Sequence, residues 1–386
     1  MTEWIECTLD KLGEIVGGAT PSTKCEDYYG GSIPWITPKD LSSFKGRYIT
    51  SGERNITEKG LASCSAQMMP KDAVLFTSRA PIGYVAIASQ SVCTNQGFKS
   101  IVVNEKADPL FVYYLLKYNK DAIEAMGSGT TFKEVSGKTM RAVKVRIPLD
   151  VSYQNRIAAV LDSLDTKIEN NERINDNLQQ QAAALFSSLY DRSNTEVKFT
   201  DLIQILGGGT PKTGENTYWN GNIAFFTPKD VGIPYTLITE KTISKEGLSH
   251  CNSRLYPVNT VFVTARGTVG KVGMSGVPMA MNQSCYALVG KETHQLLVYF
   301  YTLKAVDRLK HKASGAVFDA ITTRDFESEQ IMKLSDDDAT AFLRVAEPMF
   351  QEVLNNNIEN LRLSTLRDSL LPKLMSGEID VSAVQL

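Results

Sequence analysis

The feature that most constrains this chain is that it is written twice. Residues 17–41 (GGATPSTKCEDYYGGSIPWITPKDL) align without gaps on 207–231 (GGGTPKTGENTYWNGNIAFFTPKDV) at an offset of 190, with 12 identities in 25. The offset falls to 187 for residues 56–96 against 243–283, where Gly60-Leu61, Pro70, Arg79, Gly83 and Asn95-Gln96 meet Gly247-Leu248, Pro257, Arg266, Gly270 and Asn282-Gln283. It is 186 where Ser128-Gly129-x-x-Phe132 meets Ser314-Gly315-x-x-Phe318, and 185 beyond. So small a drift over so long a period means that one three-dimensional unit occurs twice, with small changes in its loops. A chain of 386 residues has room for two or three domains, and the repeat divides it.

Each copy divides again. Short β-like runs such as AVLFTS (73–78) and TVFVTA (260–265), broken by Gly, Pro and Asn, predict a strand-rich part. A helical part follows, in which apolar or small residues recur at alternating steps of four and three: Ile157, Leu161, Leu164, Ile168, Asn171, Asn175, Leu178, Ala182, Leu185 and Leu189. That is a heptad seam. Its second copy reads Phe342, Ala346, Met349, Val353, Asn356, Asn360, Leu363, Arg367, Leu370 and Leu374, with two Asn at the same places. The two seams are expected to pair antiparallel, bringing Asn171 and Asn175 level with Asn356 and Asn360, because polar seam residues fix register. The alternative is an ordinary bundle helix that tolerates two Asn. Pro348, at the place of Ser163, is expected to start or kink the second helix, and Pro372 to end its regular part early. The predicted fold is α+β: strand-rich domains at 1–150 and 193–335, separated by long helices at 151–192 and 336–386 that form an antiparallel coiled coil, with an internal pseudo-twofold repeat. Charge sorts with this division, the strand-rich parts summing to +5 and the helical parts to −7. Acidic helices are poor partners for phosphates, so any nucleic acid would be bound by the strand-rich parts.

Several function classes are disfavoured. No stretch approaches the roughly 18 apolar residues of a membrane span, and the start of the chain lacks the regions of a secretory leader, so a cytoplasmic location is expected. Six cysteines lie far apart without C-x-x-C, which indicates neither a disulfide framework nor a zinc site. The three histidines (His250, His294, His311) all fall in the second half, so a chemistry shared by both copies cannot use histidine. Gly137-Lys138-Thr139 looks like the end of a phosphate-binding loop, but the first glycine of such a loop would stand where Phe132 is. The common nucleotide-binding, hydrolase and base-flipping motifs are also missing, and neither a catalytic residue nor a cofactor or metal of the chain's own is expected.

The recurring polar motifs are candidates for contact with DNA. In T-P-K-D, Thr37 to Asp40 and Thr227 to Asp230, the lysines Lys39 and Lys229 follow an apolar strand and can reach a phosphate; the alternative is a capped turn in which the aspartate satisfies local amides and the lysine is solvated. Arg79 and Arg266 stand at strand ends, in S-R-A-P-I-G and A-R-G-T-V-G, and either contact DNA or pair with an acid. The Thr-Pro turns carry Thr20 with Lys24 and Thr210 with Lys212, and could equally be surface loops.

At residues 366–381, LRDSLLPKLMSGEIDV, the chain resembles the specificity subunit of Type I restriction-modification enzymes. The paired G-x-T-P…T-P-K-D openings, S-R-A-P-I-G, the S-G-x-x-F element before each helix and Pro148-Leu149…Gln154 are similar to that family's pattern and span nearly the whole chain. The resemblance implies two target recognition domains, each reading one part of a split double-stranded DNA site. It also implies helices that dock two modification (methyltransferase) subunits, with restriction (nuclease and translocase) subunits joining that core. S-adenosylmethionine, ATP and Mg would then belong to the partner subunits, and the chain itself would be non-catalytic. Residues shared by both domains belong to scaffold or phosphate positioning. Base reading is expected where the copies diverge, in 42–55 against 232–241 and in 127–138 against 312–324, and Lys133, Lys271 and Arg324 join the DNA-contact candidates. A DNA-independent scaffold, or an anti-restriction decoy that occupies modification subunits, is the other class; it would need only the helices and would have no use for Arg79 and Arg266 in matching turns.

Overall fold

The computed structural model describes residues 3–129, 133–232, 234–312 and 320–384. Its contacts fall into two units, Met1–Glu169 with Arg362–Leu386, and Asn170–Leu361. The division cuts both long helices, so each unit is a strand-rich domain carrying a part of each helix.

In the first unit β1 (Trp4–Thr8), β2 (Gly13–Gly17), β3 (Tyr29–Ile36), β4 (Tyr48–Ile49), β5 (Arg54–Ile56), β6 (Val74–Ser78), β7 (Ile82–Ala88), β8 (Cys93–Thr94), β9 (Lys99–Val103) and β10 (Lys144–Pro148) build three sheets. Their orders are β2-β9-β6-β7-β4, β5-β3-β8 and β1-β10. The run VLFTS is buried at every residue because β6 is central, flanked antiparallel by β7 and β9. The helix Pro109–Tyr118 joins this sheet through Phe111, Val112 and Leu115, which share a core with Val74, Phe76 and Ile101. Its start is set by Asp108, which accepts the Phe111 N–H at 2.8 Å, and by Pro109 in the first helical position.

The second unit repeats this plan with β11 (Thr195–Lys198), β12 (Ile203–Gly207), β13 (Trp219–Phe226), β14 (Tyr235–Thr236), β15 (Lys241–Ile243), β16 (Val261–Thr264), β17 (Val272–Ser275), β18 (Met279–Met281), β19 (Cys285–Gly290) and β20 (Gln330–Lys333). The orders β12-β19-β16-β17-β14, β15-β13-β18 and β11-β20 match those of the first unit strand for strand. Backbone conformation is copied as well as topology. Left-handed residues recur at Gly30 and Asn220, at Asp72 and Asn259, and at Gly83 and Gly270. Glycine and the short polar side chains are the residues that accept a positive φ, which is why the sequence can differ at the first two of these places while the backbone does not.

The central helix runs Val151–Asp191 and the C-terminal helix Asp336–Ser376. They pair antiparallel: Asn171 Nδ2 donates to Asn360 Oδ1 at 2.8 Å, and Asn356 Nδ2 donates to Asn175 Oδ1 at 2.9 Å. The two Asn of each seam therefore meet in the register expected. Asn171, Asn175 and Asn356 are buried, so each amide depends on its partner, and a slipped register would leave them unpaired. Ile157, Leu161, Ala182, Leu189, Phe342, Ala346, Val353 and Leu374 are buried, whereas Ile168, Leu178, Leu363 and Leu370 are half-buried at the margin. The seam is not separate from the domains: Ile157, Leu161 and Leu374 share a core with Val74 and Phe111, and Phe342, Ala346 and Val353 share one with Val261 and Leu288.

Pro348 neither begins nor ends the C-terminal helix, which runs unbroken from Asp336 through Pro348 and Pro372. Both prolines lie on the exposed side, between the buried Ala346 and Phe350 and just before the buried Leu374. The carbonyl each proline deprives of a helical donor thus faces water, and the packed side of the helix continues past it.

The two domains hold their helices by different chemistry. In the first unit Arg47, 5% exposed and one residue before β4, donates to Glu169 at 3.0 and 3.1 Å, to Thr166 Oγ1 at 2.9 Å and to the carboxylate of Asp162. Burial opposes the Arg47 charge, yet Glu169 and Asp162 hold its pKa above the ordinary arginine value. In the second unit Pro234 stands one residue before β14, and Tyr235 instead packs edge-on against Phe350 with ring centroids 6.5 Å apart. Phe350 continues into a cluster with Tyr299, Phe300, Phe342 and Phe186.

Candidate nucleic-acid interface

The T-P-K-D turns follow directly from β3 and β13. Thr37 donates to Asp40 Oδ2 from its amide at 2.7 Å and from its hydroxyl at 2.6 Å, while the Glu53 amide donates to Oδ1 at 2.7 Å. Thr227, Asp230 and Glu240 repeat all three bonds, at 2.8, 2.6 and 2.7 Å. Three bonds occupy each aspartate, so its role is to fix the turn. The lysines project outward, 78% and 82% exposed, toward acids one residue before the facing strand: Lys39 lies 2.7 Å from Glu53, and Lys229 lies 3.9 Å from Glu240. The hydrogen bond from Lys39 to Glu53 holds its ammonium above the usual lysine pKa.

In the second domain this turn forms one wall of a cleft lined by Lys229, Lys241, Arg266, Thr268, Asn282 and Ser284, among others. Arg266 is exposed on the turn after β16 and has no ion-pair partner among the described residues. Ile321 donates to the Ala265 carbonyl at 3.0 Å, so the segment that leads to the exposed Arg324 starts beside Arg266. Lys271 is exposed beyond the same turn, its amide held by Thr264 Oγ1 at 2.9 Å.

The first domain copies the scaffold and changes the charges. Val135 donates to the Ser78 carbonyl at 3.0 Å, bringing the segment that holds the exposed Lys133 beside Arg79. Arg79 lies 3.6 Å from Glu134, which also faces Lys99 at 3.5 Å; the equivalent of Glu134 in the second domain is Ala320. Lys24 and Lys212 are exposed on the turns before β3 and β13, and no contact among the described residues brings their ammonium groups to the cleft. The hydroxyls of Thr20 and Thr210 donate to Gln96 and Gln283. Of the two divergent loops expected to read bases, residues 130–132 and 313–319 lie outside the described residues, as does 233.

The sequence pattern of the Type I restriction modification DNA specificity domain matches residues 1–180 and 192–333, which takes in both strand-rich domains. The chain belongs to the Type I restriction-modification specificity subunits. It is similar to the MjaIX specificity subunit of Methanocaldococcus jannaschii, with 30% identity over 98% of this chain and 94% of that one. It is also similar to the HindI specificity subunit of Haemophilus influenzae, with 24% identity over 73% of this chain and 80% of that one. In fold it is similar to the S subunit of M. genitalium, with a TM-score of 0.64 at 16% identity over 97% of this chain and 96% of that one.

As a specificity subunit, the chain carries exposed polar groups that motif reading did not single out. Arg54 lies over the Tyr29 ring at 4.5 Å and Lys241 over the Trp219 ring at 5.6 Å, a cation on an aromatic at the same place in both domains. Gln96 and Gln283 are exposed and identical in the two copies. Their signal was present as repeat identity, and only the Thr–Gln bonds show that it concerns side chains. Among the described residues no group of three or more His, Cys, Asp or Glu is placed to hold a metal, and no helix is long and apolar enough to cross a membrane.

Proposed function

We propose that each strand-rich domain binds one part of a bipartite double-stranded DNA site through the surface formed by its T-P-K-D turn, its Arg turn and the segment beside it. The paired helices dock two methyltransferase subunits, and restriction subunits join them. The chain supplies recognition and no catalytic group; S-adenosylmethionine, ATP and Mg act in the partners, and the assembly works in the cytoplasm. The observation that carries this reading is the second-domain cleft, which gathers Lys229, Lys241 and Arg266 with Asn282 and Ser284 in one concavity. Three cations able to meet phosphates stand there beside amide and hydroxyl groups able to meet base edges. A scaffold or decoy would need only the helices, and the matching Lys39/Lys229 and Arg79/Arg266 turns would be without use.

The test is the salt dependence of DNA binding by the full-length chain. Lys229→Ala and Arg266→Ala are each expected to weaken binding to specific and random duplexes alike and to lower the log-log salt slope by about one unit. Unchanged affinity and slope in both variants would remove this cleft from the interface.

A further inference from the structure

Identical residues in two domains that read different sequences have one further use: they can read what the two half-sites share. We propose that Gln96 and Gln283 each read the same hydrogen-bond acceptor on a base edge, at equivalent positions of the two half-sites. This rests on the DNA-reading assignment above and extends it to two named side chains.

Both glutamines are exposed, and each is held through its carbonyl oxygen, which accepts the hydroxyl of Thr20 or Thr210. The bond is not needed to join the segments it links. Ala19 already donates to the Thr94 carbonyl at 3.0 Å, and Gly209 to the Met281 carbonyl at 3.1 Å, so the backbone makes that connection in both copies. What the side-chain bond adds is orientation. With Oε1 taken up by the threonine, the two Nε2 hydrogens of each exposed glutamine meet no acceptor among the described residues.

The location suits a reading group. In the second domain Gln283 stands between Asn282 and Ser284, both of which line the cleft with Lys229 and Arg266. In the first, Gln96 stands between Asn95, which donates to the Ile36 carbonyl at 3.0 Å, and Gly97, whose carbonyl accepts the Ser78 amide at 2.7 Å. It therefore sits between the Lys39 turn and the Arg79 turn, as its counterpart does. The Asn side chain fixes each turn, with Asn95 Oδ1 accepting the Gly97 amide at 2.8 Å and Asn282 Oδ1 the Ser284 amide at 3.0 Å. A rigid turn and a buttressed amide leave two donors pre-aimed, which lowers the ordering cost of binding. Donors of this kind recognise purine N7, guanine O6 or thymine O4 in the major groove.

The test selects bound duplexes from a random-sequence pool with the full-length chain, then repeats the selection with Gln96→Met and Gln283→Met, which keep length and remove the donors. The wild-type motif should carry, at one equivalent position of each half, base pairs that present the same major-groove acceptor. Each variant should relax discrimination there by about ten-fold in its own half-site only. Thr20→Val should relax the first-half position less, and Thr20→Ser should preserve it. A wild-type bipartite motif that Gln96→Met leaves unchanged, or a loss spread evenly over all sequences, would overturn the base-reading role while leaving DNA recognition intact. The unaltered half-site reports folding within the same experiment. A wild-type chain that selects no motif would instead sink the recognition reading beneath it.

Discussion

The repeat provides an internal control for a buried ion pair between the seam helices of the first unit, at a place where the other copy is apolar. In the first unit Arg367 Nη1 donates to Asp165 Oδ1 at 2.6 Å and the Tyr114 hydroxyl donates to Oδ2 at 2.8 Å, with the two charged side chains 20% and 8% exposed. Burial opposes the Arg367 charge, and the bonds to Asp165 and Asp368 still hold its pKa above the usual value. In the repeat register the equivalents of Tyr114, Asp165 and Arg367 are Phe300, Phe350 and Ala182, an apolar trio in a single core, with Phe300 and Phe350 5.5 Å apart. Removing one partner of a buried pair costs about 3–5 kcal/mol, because the other charge stays behind. The partial exposure of Arg367 lets water reach the site, so about 3 kcal/mol is expected for Arg367→Ala. At roughly 2–4 °C per kcal/mol for a unit of this size, its calorimetric transition should fall by about 6–12 °C. The triple variant Y114F/D165F/R367A transplants the apolar trio. It should recover most of that loss, since well-packed apolar replacements of buried pairs are commonly neutral or stabilising. A shift under about 2 °C for Arg367→Ala, or a triple variant no better than the single one, would refute the reasoning.

Two further outcomes follow from buried or bonded titrating groups. Burial pushes the Cys93 and Cys285 thiols up to about 12, so in native chain at pH 8 iodoacetamide should modify Cys25, Cys64 and Cys251 well before these two, and equal labelling by peptide mass spectrometry would count against the packing around them. Asp380 accepts the hydroxyl and amide of Ser382 and the hydroxyl of Tyr153, which hold its carboxyl below the usual range; the bonds therefore stabilise the docked C-terminal segment above the ordinary value of about 3.9 and are lost as pH falls through the depressed one. Hydrogen-exchange protection of the Val381 amide, which donates to Tyr153 at 3.2 Å, should drop on that acidification in wild type and show no such step in Asp380→Asn.

How much was legible depended on whether a residue's role was periodic, duplicated or private to one copy. The seam was readable because burial along a helix repeats, and Asn171 and Asn175 were readable as register keys because an unpaired buried amide is costly enough to fix where its partner lies. The same period made Ala182 and Arg367 look interchangeable. Periodicity reports which face is buried and not what stands opposite, so the ion pair with Asp165 needed coordinates. Pro348 was misjudged as a helix start for a related reason: its cost depends on which side of the helix the orphaned carbonyl faces, and that side is set by the domain packed on the other. Arg47 was hidden more deeply. It stands where the repeat offset falls from 190 to 187, in the stretch that joins β3 to β4, so no duplicated neighbour drew notice to it, and its acids lie more than a hundred residues away on the central helix.

The T-P-K-D motif shows how duplication both helps and misleads. The capped-turn reading accounts for what is seen, because Asp40 and Asp230 are consumed by the turn and Lys39 and Lys229 are left solvated outside it, and phosphate contact by these lysines is the proposal made above. Identity between the copies could not separate a residue kept for the fold from one kept for the ligand. Exposure separates them: a shared residue that is buried or fully bonded serves the backbone both copies must build, and a shared residue that is exposed and held in place by a side chain of its own serves something both copies must meet. By that criterion Asp40 and Asn95 belong to the fold, whereas Lys39 and Gln96 are the shared side chains we propose for contact with DNA.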